Sequence, residues 1–593
     1  VVGAHRVMAQ GGVLDREGVL PLFQELEVQP CPALHEDPHL EAFLRQVIAE
    51  QHLEESFFVV DLGKILQQHQ LWVKRLPQVH PHYAVKCNPS PAVLRTLASL
   101  GCSFDCASKT EIQQVLALPS VHAEDIIFAN PCKLRSHLVY AREVGVKRMT
   151  FDSELELHKV ADIFPEAELL LRIVTDDSAS MCAFSAKFGA HPQDVEPLLQ
   201  TANSLGLRIV GVSFHVGSGC GDAEAYYKAV RDAHSIFQMA PQYGMHMSVL
   251  DVGGGFPGGD GEPNSKSVSF EDTAYALNRA IEEFFPASSG VSLISEPGRF
   301  FVAESHILAC NIYAKKMVHR QVATEIKEGG GHRDEDVVVV TAAEEDSCGK
   351  EVFDMDEFAD LEGTSPMQRV TTVENPSQQH NVYYIDDGVY QSFNCIFFDH
   401  MTPTPIPLRV ASVARDFASE TLLPSKLFGP TCDGIDVVTP SARLPDLDCG
   451  DWFFFRGMGA YTVAASSSFN GFTPRPMVHC SSVLEQPHGH HHHDSVEECV
   501  DSWVHLSSSM CKVAEQSLEL FRRKQVLVEK EKEEESDLDM DLHAPPQSDI
   551  VAKKGPLFED ISRTRSQSSS LPCTSSFHHF FMGQKSAIPS VLR

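Results

Sequence analysis

The stretch PHYAVKCNPSPAVLRTLASLGCSFDCA, residues 81–107, holds one structural unit and the start of the next. His82–Lys86 is a short apolar run closed by a lysine. A polar turn follows. In Pro91–Leu100, Val93, Leu94, Leu97 and Leu100 then fall on one helical face. Ser103–Ala107 opens a second apolar run. Working outward, the same alternation recurs as far as Arg299, with further runs at Asp125–Asn130, Arg148–Asp152, Glu168–Val174, Arg208–His215, Ser248–Gly253 and Val291–Glu296. These runs are rich in Val, Ile, Leu and Phe and carry few charges, as strands buried on both faces do. Phe270, Ala274, Leu277, Ile281 and Phe284 give one of the intervening segments an apolar stripe. Eight strand–helix units in roughly 220 residues predict a closed eight-stranded β/α barrel of the TIM type. An open doubly wound sheet is the alternative, but no Gly-x-Gly-x-x-Gly follows the first run.

Beyond Arg299 strand-like runs continue without helices between them, at Ile307–Val318, Val382–Ile385, Trp452–Phe455 and Tyr461–Ala465. They predict a second, mostly β domain over 306–484, to which residues 1–60 contribute, with the barrel over 61–305. The acidic segment Gln321–Gln379 reads as an insert, with VVVVTAA inside it as a candidate strand. Residues 485–593 read as a largely disordered tail: a His run, a Lys/Glu block and a Ser-rich end. Within the tail, Val496–Val528 has helical spacing. His490–His493 reads as a solvated low-complexity tract, and no metal site is expected.

The 593 residues carry 48 Lys and Arg against 81 Asp and Glu, a net charge of -33. That balance disfavours nucleic acid and anionic membranes as partners and is compatible with a cationic substrate. No apolar stretch is long enough to span a bilayer, and no secretory leader is read at the start. The 16 cysteines form no CxxC array and read as reduced thiols of a cytoplasmic protein.

Barrel chemistry sits at the C-terminal ends of the strands. There the sequence places Lys86, Asp105, Asn130, Asp152, Arg172, His215, Gly253–Gly255 and Glu296. Each buried polar group without a partner costs about 1–3 kcal/mol, so an apolar core does not collect such a set by chance. Asn130 and Asp152 serve equally well as local caps. A buried lysine has a lowered pKa and can condense with an aldehyde, which makes Lys86 a candidate anchor; an exposed strand-end lysine is the plain alternative. Three glycines let backbone N–H groups close on an anion, and Arg299 in the turn Glu296-Pro297-Gly298-Arg299 offers a fork to the same phosphate. Glu296 could pair with a protonated pyridine nitrogen. His215 is either a ring-stacking residue or a satisfied core histidine. Cys432 and Asp433 share a Pro/Gly-framed loop, where the cysteine is either a presented thiol or an inert one. Asp386-Asp387-Gly388 is an acidic pair at a turn, or simply the turn.

Taken in order, PHYAVKCN, FDCASKTEIQ, ANPCK, KFGA, VGVSFHVGSGC, LDVGGGFPG, SEPGRFFVA, DGVYQSFNCI, GPTCDGID, GDW and MGAYTVAA resemble the eukaryotic ornithine decarboxylases, which are fold-type III pyridoxal-phosphate enzymes. The likeness runs from about Phe57 to Phe472. VSFHVGSGC together with GPTCDGID points to the ornithine branch. The resemblance implies that Lys86 carries pyridoxal 5'-phosphate covalently, with Asp105 beside it and Arg172 in the pocket. It implies that His215 stacks on the cofactor ring and that Glu296 partners the ring nitrogen. It assigns Ser218, Gly255, Arg299 and Tyr461 to the phosphate, with Gly253, Gly254, Pro297 and Gly298 in the same turns. It assigns Asp387 and Asp433, with Asp386 adjoining, to the distal amine of the substrate, and Cys432 to protonation of the product carbon.

The resemblance further implies a homodimer with shared active sites and a Lys187–Asp436 ion pair between subunits. The expected reaction converts L-ornithine to putrescine and carbon dioxide, the first step of polyamine biosynthesis. Antizyme, the family's inhibitory protein, is a candidate partner at 129–147, where Lys133, Arg135, Arg142, Lys147 and Arg148 form either a docking patch or an ordinary solvated face. Two alternatives stand beside this reading: a catalytically inactive antizyme-inhibitor-like paralogue, and a decarboxylase preferring lysine.

Overall fold

The computed structural model describes residues 16–31, 34–259, 268–320, 323–325, 372–374, 378–410 and 420–484. Its centre is a closed barrel of eight parallel strands: Val79–Ala84, Ser103–Cys106, Ile126–Phe128, Arg148–Phe151, Glu168–Arg172, Arg208–Ser213, Val249–Asp251 and Ser292–Ser295. The last strand pairs back onto the first through Ile294 and His80. Seven of the predicted runs contain a barrel strand; the first, His82–Lys86, is displaced, since its strand is Val79–Ala84 and Val85–Lys86 already lie in a 3-10 turn. Ile127, Ala129, Leu170, Val210, Val249 and Ile294 pack together inside the barrel, all buried.

Seven of the strands are followed by a helix of at least eight residues, from Pro91–Ser99 to Phe270–Phe284. The eighth is followed only by Arg299–Val302. The helix Leu62–Arg75, which precedes the first strand, covers that gap. Its Trp72 is fully buried against Phe256, Phe270, Phe300 and Phe301, and its indole N–H donates to the Val79 carbonyl at 2.9 Å. A buried aromatic cluster of this kind is among the larger apolar contributions a domain makes.

The second element is a nine-stranded mostly antiparallel sheet. Its spine is the 15-residue strand His306–Arg320. The first half of the spine pairs with Phe57–Asp61 and Trp452–Phe455, and the second half with Gln378–Ile385. Leu40, Phe43, Leu44, Val47 and Ile48 of the helix Asp37–Gln51 pack on one face against Phe57, Val59, Trp452 and Phe454.

Tyr461–Ala465, read as a strand, is not one. Tyr461 has φ of 54° and its N–H donates to the Cys87 carbonyl, so the backbone turns there and Val463–Ala465 forms a 3-10 turn. Of the insert, 323–325 and 372–374 pair as antiparallel strands and 378–379 belong to the sheet. The rest of it, including VVVVTAA, lies outside the described residues, as does the whole of 485–593 with its His run and candidate helix.

Candidate active site

Lys86 follows the first strand in the 3-10 turn Val85–Cys87. That turn is held from two sides. Ala84 N–H donates to the Pro297 carbonyl at 3.1 Å and Tyr461 N–H donates to the Cys87 carbonyl at 3.0 Å. Gly298 is required where the turns meet, because a Cβ there would lie 2.9 Å from Cys87 Cβ. Lys86 Nζ reaches Asp105 Oδ2 at 2.5 Å, and 42% of its side chain is exposed at the barrel mouth. Burial of the amine opposes its charge, but Asp105 and Glu296 outweigh burial and hold the Lys86 pKa above the usual lysine range. The sequence expectation of a lowered pKa is corrected here: carboxylates from the neighbouring strands offset the desolvation.

Glu296 lies just past the eighth strand and is buried, and its Oε1 has no hydrogen-bond partner among the described residues. Burial, with Asp251 and Asp105 close by, pushes its pKa well up. His215 is neutral. Burial, then Arg172 and Lys86, drive its pKa well below the usual value. Its Nδ1 accepts the Gly217 N–H at 3.0 Å, which leaves the ring proton on Nε2. Arg172 ends the fifth strand with its guanidinium 5.2 Å from the Phe188 ring centre.

The glycine turn needs its glycines. Gly253 and Gly255 have φ of 64° and 106°, and a Cβ on Gly254 would lie 2.7 Å from the Glu296 carbonyl and 2.8 Å from His215 Nε2. Tyr226, fully buried, donates its hydroxyl to the Gly254 carbonyl at 2.9 Å and so pins the turn. Opposite it, Arg299 Nη2 reaches Ser218 Oγ at 3.1 Å and Asp399 Oδ1 at 2.5 Å, with its guanidinium 5.1 Å from the Tyr461 ring centre.

The structure thus gathers Lys86, Asp105, Arg172, His215, Ser218, the triple glycine, Glu296, Arg299 and Tyr461 at one end of the barrel. Asn130 and Asp152 cap neither of the helices that follow them: Asn130 Oδ1 accepts the Cys132 N–H at 3.2 Å, and Asp152 Oδ2 accepts the Gly189 N–H at 2.9 Å, 37 residues away.

The acidic residues of the sheet are placed differently. Asp387 is fully buried and accepts from Gly388 N–H, Ser392 N–H and Ser392 hydroxyl, and pairs with Arg475 Nε at 3.2 Å. Asp386 accepts from Ser56 N–H and hydroxyl, both at 2.5 Å, and from Asn311 N–H at 2.9 Å. Both carboxylates therefore have internal donors. The carboxylate that joins the mouth cluster is Asp399, through Arg299.

Cys432 is exposed, and its thiol lies 3.4 Å from Asn470 Oδ1. Asp433 beside it accepts the Tyr390 hydroxyl; that hydrogen bond lowers the Asp433 pKa and pushes Tyr390 up to about 12. Asp436 is 1% exposed, and its carboxylate takes Val389 N–H, Thr431 N–H and the Thr431 hydroxyl. Lys187 lies over the Phe188 ring at 4.9 Å. In the segment 129–147, Lys133 is no part of a solvated face. It is buried, paired with Glu156 at 2.9 Å, and donates to the Thr150 carbonyl at 2.6 Å.

Four site residues escaped the sequence reading. Glu111 is half-buried near Asp105 and Lys86 and accepts the Ala107 N–H at 2.5 Å. Tyr226, Asp251 and Asp399 are the others. Glu111 sits in a helix first turn, the ordinary place for a capping carboxylate, and Asp399 in a polar pair after an apolar run. Neither signal distinguishes a site from a cap.

Residues 62–303 match the pyridoxal-binding domain of the pyridoxal-dependent decarboxylases, and residues 363–459 match the C-terminal sheet domain of the same enzymes. The chain is 41% identical to a mouse ornithine decarboxylase, over 79% of this chain and 92% of that one. The chain belongs to the ornithine decarboxylase family. It is also 42% identical to a Xenopus laevis antizyme inhibitor 2, over 74% of this chain and 85% of that protein. Among solved structures, the arginine decarboxylase of Paramecium bursaria Chlorella virus matches with a TM-score of 0.59 and 30% identity, covering 74% of this chain and 99% of the other. The barrel and sheet of this family thus correspond to the two elements described above. Among the described residues no helix is long and apolar enough to cross a membrane.

The residues at the barrel mouth fit pyridoxal phosphate on their own chemistry. A buried carboxylate oxygen without a partner suits a protonated ring nitrogen. A turn with no room for a Cβ, opposite a buried arginine, suits a phosphate. A lysine amine projecting between them suits an aldehyde.

Proposed function

We propose that this protein decarboxylates L-ornithine to putrescine and carbon dioxide with pyridoxal 5'-phosphate. The observation that carries the reading is the buried, half-unpartnered Glu296 carboxylate on the same barrel end as the Lys86 amine and the triple glycine. Bound pyridoxal phosphate supplies an electron sink for the bond broken when carbon dioxide leaves.

The chain's own residues do the rest. Lys86 would provide the amine that holds the cofactor's aldehyde. Glu296 holds a proton at the ring nitrogen. Glycine N–H groups of 253–255, with Ser218, Arg299 and Tyr461, hold the phosphate. His215, neutral, would face the cofactor ring without adding charge. Asp105 orients Lys86, and Arg172 adds positive charge to the pocket. Cys432 donates its thiol proton to the carbon that has lost its carboxylate. Asp433 neutralises the distal ammonium of the substrate; Asp386 and Asp387 shape the loop next to it, and Asp399 adds a carboxylate at the mouth.

Because Cys432 is exposed in its own chain, we propose that it works in the barrel of a second copy, so that the active enzyme is a homodimer. Ile435 at 55% exposure and the exposed Phe397 and Phe398 suit that contact. Lys187 meets the Asp436 loop across the same contact. The described cysteines are all free thiols, which supports a cytoplasmic location.

Release of carbon dioxide and putrescine from ornithine by the purified, cofactor-loaded protein tests the assignment. A second reading, an inactive antizyme inhibitor, is favoured by the 42% identity to one. Protein that takes up no cofactor and releases no carbon dioxide, yet captures antizyme, establishes that reading. Lysine is one methylene longer than ornithine, a difference worth about 1–3 kcal/mol in a pocket, so a direct competition between the two substrates ranks them.

A further inference from the structure

The seventh barrel strand ends in Asp251, which the reaction as described leaves without a task. Its carboxyl is completely buried and meets three groups. Oδ1 accepts the Gly253 N–H at 2.9 Å, and Oδ2 accepts the Ser213 hydroxyl at 3.0 Å. The third group is the Glu296 carboxyl just past the next strand: Asp251 pairs with Ile294, two residues before it, and the two buried acids face each other. Two buried like charges this close do not both ionise, so one of the pair keeps a proton. The backbone repeats the connection: Glu296 N–H and the Ser295 hydroxyl both donate to the Gly253 carbonyl at 2.7 Å. One buried acid therefore bonds the first glycine of the anion-binding turn and lies beside the carboxyl whose Oε1 has no partner among the described residues.

We propose that Asp251 is a positioning residue for the cofactor's ring nitrogen, holding Glu296 through a shared proton while its bond to Gly253 sets the phosphate turn. The proposal rests on the assignment of Glu296 made above. Burial raises Asp251 to about 6, against the Gly253 N–H, Glu296 and Ser213 bonds. The charged groups that face the pair are Asp105, Lys86 and Arg172. A purely structural Asp251 would serve the turn alone, and its loss would not depend on what occupies the ring position.

The full chain decides between these roles with two ligands: pyridoxal phosphate, and its 1-deaza analogue, which has a C–H where the ring nitrogen stands. Dissociation constants come from absorbance titrations. Asp251→Asn keeps an acceptor for Gly253 and nearly the same volume, but it cannot share a proton as an acid. It is expected to weaken pyridoxal phosphate about tenfold, the equivalent of one pKa unit, and to leave the deaza analogue within about twofold. Equal losses for both ligands, or no loss for either, overturn the proposal. Glu296→Ala is the reference. If it too fails to distinguish the ligands, the Glu296 assignment falls with the proposal. If it distinguishes them while Asp251→Asn does not, only the role of Asp251 is lost. Should Asp251→Asn not fold, Ser213→Ala removes one donor from Asp251 and is expected to discriminate in the same direction, more weakly. Absence of discrimination in that variant also overturns the proposal.

Discussion

Lys86 and Asp105 stand at the ends of adjacent barrel strands with Nζ 2.5 Å from Oδ2, and Asp105 is completely buried. The amine is therefore held charged and aimed by a carboxylate that has no route to solvent. Lys86→Ala is expected to abolish the visible absorbance of bound cofactor and to reduce decarboxylation at least about a thousandfold, because the covalent attachment is lost. Absorbance spectra of the purified variant after incubation with pyridoxal phosphate check this, and a normal band would refute the anchor.

The raised pKa of Asp251 has a consequence for stability. A carboxyl whose folded pKa exceeds its unfolded value binds more protons when folded, so stability falls as pH rises from about 4 through about 6. The cost above pH 6 is at most about 2–3 kcal/mol. Asp251→Asn is expected to raise the melting temperature of cofactor-free protein at pH 7 and to raise it only about a third as much at pH 4.5. Melting curves at the two pH values provide the check.

Exposure of Cys432 predicts a clean separation of effects. Cys432→Ala should melt within about 0.5 kcal/mol of the wild type and bind cofactor normally. It should nevertheless lose faithful product formation. Product analysis by chromatography measures this; an unchanged putrescine yield would remove Cys432 from the role of proton donor.

Asp387 and Arg475 form a buried pair at 3.2 Å, with the carboxylate saturated by internal donors. Removing one member leaves the other charge buried alone. Arg475→Leu is therefore expected to destabilise the fold by about 3–5 kcal/mol in urea titrations. If Asp387→Asn instead raises the KM for ornithine with stability intact, the acidic turn contacts substrate directly, as its sequence first suggested.

Trp72 closes the gap left by the missing eighth long helix. Trp72→Ala should cost about 3–5 kcal/mol. Because Phe300 and Phe301 adjoin Arg299, the same variant should also weaken cofactor binding. Urea unfolding with and without pyridoxal phosphate separates the two effects.

Much of the site was legible because burial is costly for polar atoms. Glu296 and the polar strand ends stood out against runs of Val, Leu and Phe that have no other reason to end in charge. Asp399 and Tyr226 did not stand out. Asp399 lies 100 residues from its partner Arg299, and Tyr226 lies 28 from Gly254. No local pattern reports such a contact. The misread segment Tyr461–Ala465 failed for a related reason. Its composition suits a strand, but the contact of Tyr461 with Cys87, made across the fold, turns the backbone.

By itself the sequence determined the barrel, since strands buried on both faces must be apolar throughout, and it determined which strand ends carry chemistry. It could not determine protonation. The Lys86 pKa is raised rather than lowered, and burial together with neighbouring acids pushes Asp251 and Glu296 up, because groups from separate strands converge there. A residue's charge depends on the distance to groups remote in the chain, and those distances exist only once the barrel has closed.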